Sequence, residues 1–238
     1  KDNQFGMGLS PIAFKLHLLI GGKHIGDYYK YIRFKSLPNL LGFAISLIIK
    51  HPFLSNNKND CYPNIINIGD ISFKKKNNPS DINWEFENNN YIEFSRDKEF
   101  LSWRFGSYPK VFITYTYEDE SGIKAYFVIR NVIWKGFPFL LLVDYRYKGN
   151  TLQPMLKAVN KILKKSHNYG IITLSSFSDV DKALKHNRYI KFGFSGQIVT
   201  NVKTNLSKQQ IKQRKSIFVT FADSDADFFY GNKQWYEL

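Results

Sequence analysis

The chain has 238 residues, 43% of them hydrophobic and 17% aromatic, which supplies a sizeable core and excludes a disordered chain. Its 34 Lys and Arg against 20 Asp and Glu give a formal charge of +14, but the lysines are scattered, so the excess reads as composition and not as a nucleic-acid footprint. One cysteine, Cys61, excludes an internal disulfide and fits a reducing compartment.

The longest apolar run, Leu40–Ile49, falls far short of the roughly 20 residues of a membrane helix, so the expectation is a cytoplasmic protein with no membrane span. In chain order, Ser10-x-x-Ala13-x-x-Leu16-His17-x-x-x-Gly21-Gly22 predicts a helix with Ile12, Leu16, Leu19 and Ile20 on one face. Lys23–Phe34 reads as a tight strand pair turning at Gly26-Asp27. Its Tyr28-Tyr29-Lys30-Tyr31-x-Arg33-Phe34 run mixes bases and aromatics as single-strand binders do, but an amphipathic hairpin explains it more simply. Leu37–Pro52 predicts a connecting helix, with Pro38 near its first turn and Pro52 at its end. The Asn- and Lys-rich stretch Ser55–Asn90 reads as linker with one strand at Ile65–Phe73.

From Tyr91 the pattern changes. Phe100, Leu101 and Trp103 predict a packed early helix with Trp103 in the core. Val111–Tyr117 and Ile123–Trp134 alternate around Asp119-Glu120-Ser121-Gly122, a hairpin signal. Phe137–Tyr145 is the next strand and is apolar over most of its length. After the polar turn Arg146–Thr151 comes a helix with Leu152, Met155, Leu156, Val159, Ile162 and Leu163 on one face and Lys157, Lys161, Lys164 and Lys165 on the other. Asn150 or Thr151 can cap it, and Pro154 is tolerated in its first turn. A strand at Gly170–Leu174, a short helix near Val180–His186 and a strand from Tyr189 to Phe194 complete a βαβ unit, whose glycine turn can hold a phosphate at a helix N-terminus. Val199 and Val202, then Ile217–Phe221, are expected to close the sheet, and Lys203–Lys215 to form a mobile basic loop.

This order of motifs resembles the core of the GNAT superfamily of acyl-CoA-dependent N-acyltransferases, over roughly Tyr91–Phe229. The family's Arg/Gln-x-x-Gly-x-Gly/Ala phosphate turn is matched at Arg146 and Gly149, with Thr151 in place of the small third residue. Tyr189-x-x-x-Gly193-Phe194 matches its Tyr-x-x-x-Gly-Phe. Asp97-x-x-Phe100-Leu101-x-Trp103-Arg104-Phe105 and Asp223-Ser224-Asp225 resemble a divergent branch that often carries two GNAT units per chain.

The helix at Ser10–Gly22 repeats the Tyr189–Phe194 spacing, with His17 against Tyr189 and Gly21 against Gly193. The resemblance therefore implies a remnant of a first unit over 1–35, a connecting helix and linker over 36–90, and an acyltransferase domain over 91–238. Together these imply an α/β fold of the GNAT kind, a mixed and mostly antiparallel central sheet flanked by helices.

The chemistry implied is direct attack of an amine on the thioester of acetyl-CoA or another acyl-CoA, which needs a base, an acid and oxyanion donors. By the same resemblance Tyr189 is the acid, Asp144 the nearest acidic candidate for the base, and Val143, Tyr145, Arg146, Gly149, Asn150 and Thr151 the cofactor contacts. The acceptor is an amino group on a small molecule, amino sugar or peptide, and related divergent proteins are often linked to cell-surface polysaccharide or envelope building. Two alternatives stay open: a GNAT-shaped domain that binds a ligand or partner without catalysis, and a charge-driven nucleic-acid binder. Parted strands just past Tyr145 are the feature on which the enzyme reading depends.

No metal is expected. The five histidines lack zinc spacing, and Asp223-x-Asp225-x-Asp227 departs from a calcium loop at Phe228 and Gln234.

Overall fold

A strand apolar at nearly every position must be covered on both faces, and Phe137–Tyr147 is buried at all but its last residue. The computed structural model describes residues 5–7, 9–49, 62–82, 84–85, 91–108, 110–201 and 206–223, and the strand lies in the middle of their main sheet. In chain order the elements are β1 (Phe5–Met7), α1 (Pro11–Leu19), β2 (Lys23–Phe34), α2 (Leu37–Ile49), β3 (Ile65–Ile68), β4 (Ile71–Lys76), β5 (Ile92–Glu93) and α3 (Lys98–Leu101). There follow β6 (Ile113–Asp119), β7 (Gly122–Trp134), β8 (Phe137–Tyr147), α4 (Leu152–Lys165), β9 (Gly170–Ser175), α5 (Ser178–His186), β10 (Ile190–Thr200), α6 (Lys208–Lys212) and β11 (Ile217–Phe218).

Nine strands form one mixed sheet in the order β1-β10-β2-β9-β8-β7-β6-β4-β3. Every neighbouring pair is antiparallel except β8 and β9, which are joined through α4 and run parallel. Alternation along β8 sends Leu140 and Leu142 to one core with α4 and α5, and Phe139, Leu141 and Val143 to the other. The helix period predicted for α4 holds, since Leu152, Met155, Leu156, Val159, Ile162 and Leu163 are all buried. On the opposite face Phe43 of α2 packs among Phe34, Trp134, Phe137 and Phe139. The mixed, mostly antiparallel α/β architecture expected from the sequence is the one observed.

Several local expectations are corrected. Lys23–Phe34 is one continuous strand, because β2 lies between β9 and β10 and pairs with both. Gly26 serves a close approach and not a turn: a Cβ there would sit 2.9 Å from Cγ2 of Ile217. Ile65–Lys76 is a two-strand hairpin on the sheet's edge rather than a single strand. Trp103 is 68% exposed, because a π-helical turn over Ser102–Gly106 turns it outward while Arg104 and Phe105 go inward. Ile12, Leu16 and Leu19 lie on the helix α1 as expected, with Ile20 at its C-cap, but that stripe faces outward. The segment Lys208–Lys212 is a helix within the stretch read as a loop, started by a capping box between Ser207 and Gln210. Ile217–Phe218 pairs in parallel with Ile92–Glu93 in a separate two-stranded ribbon and does not close the main sheet. Cys61, Val202 and the Asp225 and Asp227 positions lie outside the described residues.

Leu156 is fully buried where α4 meets β8. Leu156→Ala is therefore expected to cost about 2–5 kcal/mol by emptying a core site, read as a lower urea midpoint at unchanged m-value.

Candidate active site

Backbone pairing between β8 and β9 runs only over Phe139↔Gly170, Leu140↔Ile171 and Leu141↔Ile172. Just beyond, β8 takes an extra residue: Val128 faces Asp144 and Ile129 faces Leu142, leaving Val143 as a bulge. The two strands then part, as the sequence reading required. Across the parting, the Tyr145 hydroxyl donates to the Leu174 carbonyl at 2.9 Å. Burial pushes the Tyr145 phenol well above its ordinary range.

The turn after β8 is tied back to β7. Lys148 N–H donates to the Lys124 carbonyl at 2.8 Å, and Gly149 adopts φ of +54°, a left-handed conformation that favours glycine. Thr151 does not cap α4. Its hydroxyl faces the carbonyls of Lys124 at 3.0 Å and Lys148 at 2.8 Å, which anchors the turn. An open groove of about 800 Å³ runs from Tyr147, Gly149, Asn150 and Gln153 at the head of α4 to Asp179, Lys182 and His186 on α5. Phosphates in this groove would meet the positive end of the α4 dipole.

Arg146 is not on that groove. Its guanidinium turns inward, fully buried, with Nη1 donating to Asp144 Oδ1 at 3.0 Å and Nε 3.5 Å from Glu93 Oε2. The groove is lined by Lys182, its one lysine among the described residues, and by His186, which sequence reading did not single out because they only look like the polar face of a helix.

Asp144 is the centre of a buried polar network. Arg96 Nε donates to its Oδ2 at 2.8 Å and Tyr126 to the same oxygen at 2.8 Å, while Thr220 donates to Oδ1 at 2.7 Å. Arg96 also reaches Asp223 at 2.6 Å, and Asp223 accepts the Thr220 N–H at 2.8 Å. Burial pushes the Asp144 carboxyl up, but the Arg96 and Arg146 guanidinium groups, with the hydrogen bonds of Arg96 and Thr220, more than offset it and hold the pKa at about 2. A carboxylate so acidic and so fully donated to is a poor proton acceptor, so the geometry gives Asp144 a structural place instead of the expected role of base. Arg96 was missed. The signal for it was present, since a charged residue inside an apolar strand demands a counter-charge from elsewhere.

Tyr189 lies beneath α4, where its hydroxyl donates to Asn160 Oδ1 at 3.1 Å. Burial raises its phenol, with Arg33 opposing, so it stays protonated, which is the state an acid requires. It does not line the groove at the α4 turn. The structure thus brings Tyr145, Gly149, Asn150 and Thr151 together around the parting and the turn, and places Tyr189 apart from them.

The Asp144 pKa lies below the ordinary value of about 3.9 in an unfolded chain, at about 2. Its stabilising contribution is therefore complete above about pH 4 and is lost as pH falls toward 2. Asp144→Asn, which removes the carboxylate that Arg96, Arg146, Tyr126 and Thr220 share, is expected to cost about 3–5 kcal/mol and to flatten that acid limb in a series of urea midpoints against pH.

No protein-family model matches the sequence, and no curated protein matches it. Among solved structures, a conserved protein of unknown function from Enterococcus faecalis V583, described as a probable N-acyltransferase, superposes with a TM-score of 0.51 at 12% identity, over 82% of this chain and 44% of that one. A GCN5-related N-acetyltransferase from Anabaena variabilis ATCC 29413 gives a TM-score of 0.47 at 11% identity, over 82% and 45%. The chain spans less than half the length of either structure. With the parted β8 and β9, the bulge at Val143 and the turn at Gly149, the Enterococcus likeness shows the fold: this chain has a GNAT-like mixed α/β fold.

Proposed function

We propose that this chain transfers an acyl group from acyl-CoA, with acetyl-CoA the first choice, to an amine. The single observation that carries the reading is the parting of β8 from β9 beside an open groove at the head of α4. In this reading the cofactor's phosphates bind the N–H groups of the Gly149–Leu152 turn, with Lys182 supplying positive charge and His186 a further polar group. The thioester lies toward the parting, where the amine nitrogen attacks the carbonyl carbon and the C–S bond breaks. The leaving thiolate takes a proton, and Tyr145, whose phenol spans the parting, is closer to that path than Tyr189.

The acceptor class, an amino group on a small molecule, amino sugar or peptide, rests on the resemblance alone, as does a place in polysaccharide or envelope building. So does the tandem reading of 1–35 as the end of one unit and 91–238 as the next. A cytoplasmic site of action belongs to the same proposal. Among the described residues no helix is long and apolar enough to cross a membrane.

A second reading, binding without catalysis, is favoured by the commitment of Asp144 to its network and by Phe218, which lies against Tyr145 at 5.5 Å between ring centroids.

Saturating acetyl-CoA is expected to raise the melting temperature. At a hundred times Kd the stabilisation is about 2.7 kcal/mol, which corresponds to roughly 5–10 °C for a chain of this size. Gly149→Glu, placing a negative charge at the phosphate turn, is expected to abolish the shift. No shift at millimolar acetyl-CoA would end the acyl-CoA reading. Release of free CoA thiol with any member of an amine panel would end the non-catalytic one.

A further inference from the structure

The parting between β8 and β9 is not open along its length. The ribbon of β5 and β11 sits in it, joined by the Ile92 N–H donating to the Ser216 carbonyl at 2.8 Å. On the β9 side, Ser176 donates through Oγ to the Ile217 carbonyl at 2.7 Å and accepts the Val219 N–H at 2.9 Å. On the β8 side, Thr220 bonds Asp144 and Glu93 faces Arg146. Phe218 joins the core beneath α4 and α5, while Ile217, Val219 and Phe221 join the opposite core. That alternation is the one expected of a strand lying in the plane of the sheet.

The Phe218 ring stands 5.5 Å from Tyr145, 6.1 Å from Tyr147 and 5.9 Å from Phe177, centroid to centroid. Tyr147 is also a wall of the groove, so the groove runs directly onto this aromatic cluster.

We propose that the Tyr91–Glu93 and Ser216–Thr220 segments form a strap that fills the space between β8 and β9 and must leave it before the arm of an acyl-CoA can enter. The strap's position follows from its own contacts. The ligand that it excludes rests on the reading proposed above. Asp144, Thr220, Asp223 and Arg96 are the latch, because they fasten the strap's end to the central strand. The chain's own backbone takes the place of a bound arm, so the apparent affinity for the full cofactor is set by the fraction of molecules with the strap displaced.

Titration calorimetry with two probes tests this: acetyl-CoA, and the nucleotide diphosphate half of coenzyme A without its arm. In the unaltered chain the two are expected to bind alike, since the arm finds no room. In Phe218→Ala, acetyl-CoA is expected to bind about tenfold tighter than to the unaltered chain, as the competent fraction rises, while the truncated probe is unchanged. Acetyl-CoA binding the unaltered chain about tenfold tighter than the truncated probe would overturn the strap, because the arm would already have its place. Should Phe218→Ala fail to fold, Thr220→Val, which removes the hydroxyl shared among Asp144, Asp223 and Arg96, carries the same comparison.

If neither probe binds either protein, the acyl-CoA reading fails and the strap is decided by hydrogen exchange alone. The Val219 amide, bonded to Ser176, is expected to exchange as slowly as the amides of β9. Exchange at the rate of an exposed loop would overturn the proposal.

Discussion

A carboxylate inside an apolar strand is costly unless it is fully paired, and Asp144 sets the terms for much of this molecule. Its neighbours Leu142, Val143 and Tyr145 are buried with it, so, apart from Arg146 two residues on, the members of its network come from distant parts of the chain. Arg96 arrives from the segment before α3, Tyr126 from β7, and Thr220 and Asp223 from the segment after β11. Arg96 and Arg146 against Asp144, Asp223 and Glu93 leave the cluster one charge negative, with most of the partners' hydrogen-bonding groups engaged. One buried charge thereby fixes where two otherwise weakly specified segments lie. It is also why the residue that looked like a base from its place beside the phosphate turn is held away from that chemistry.

The central elements were legible because their signals are local. The stripe of α4, the alternation of β6 and β7 about a polar turn, and the apolar run of β8 each specify an element within a dozen residues or so. Their order then pointed to the right architecture. The errors fall where a residue answers to a distant partner. Gly26 next to Asp27 has the look of a turn, yet Gly26 is extended and makes room for Ile217. Two-residue strands such as β5 and β11 have no period to detect. In the basic stretch after β10, charge drew attention away from the Ser207-x-x-Gln210 signature that starts α6.

The candidate site divides in the same way. The Gly149 turn was readable, because a positive φ at the head of a helix selects glycine and the spacing from Arg146 is local. The direction of the Arg146 side chain was not, because the extra residue at Val143 reverses the strand's alternation and sends Arg146 to the face opposite α4 and α5, away from any phosphate at the turn. Tyr189 was placed correctly after α5, but its partner Asn160 lies on α4, and that pairing depends on how the two helices pack. Lys182 and His186 acquire meaning only once α5 is known to form a wall of the groove.

The strand β2 carries a last consequence. It is synthesised long before its partners β9 and β10. Contacts so far apart in the chain must meet the entropy of closing a very long loop before they gain anything, so such pairings form slowly. Tyr28, Tyr31 and Ile32, all buried in the finished sheet, stay without those neighbours until β9 and β10 have been made. Assembly of this side of the sheet therefore waits on β9 and β10, and the nascent chain is exposed to misassociation throughout that wait.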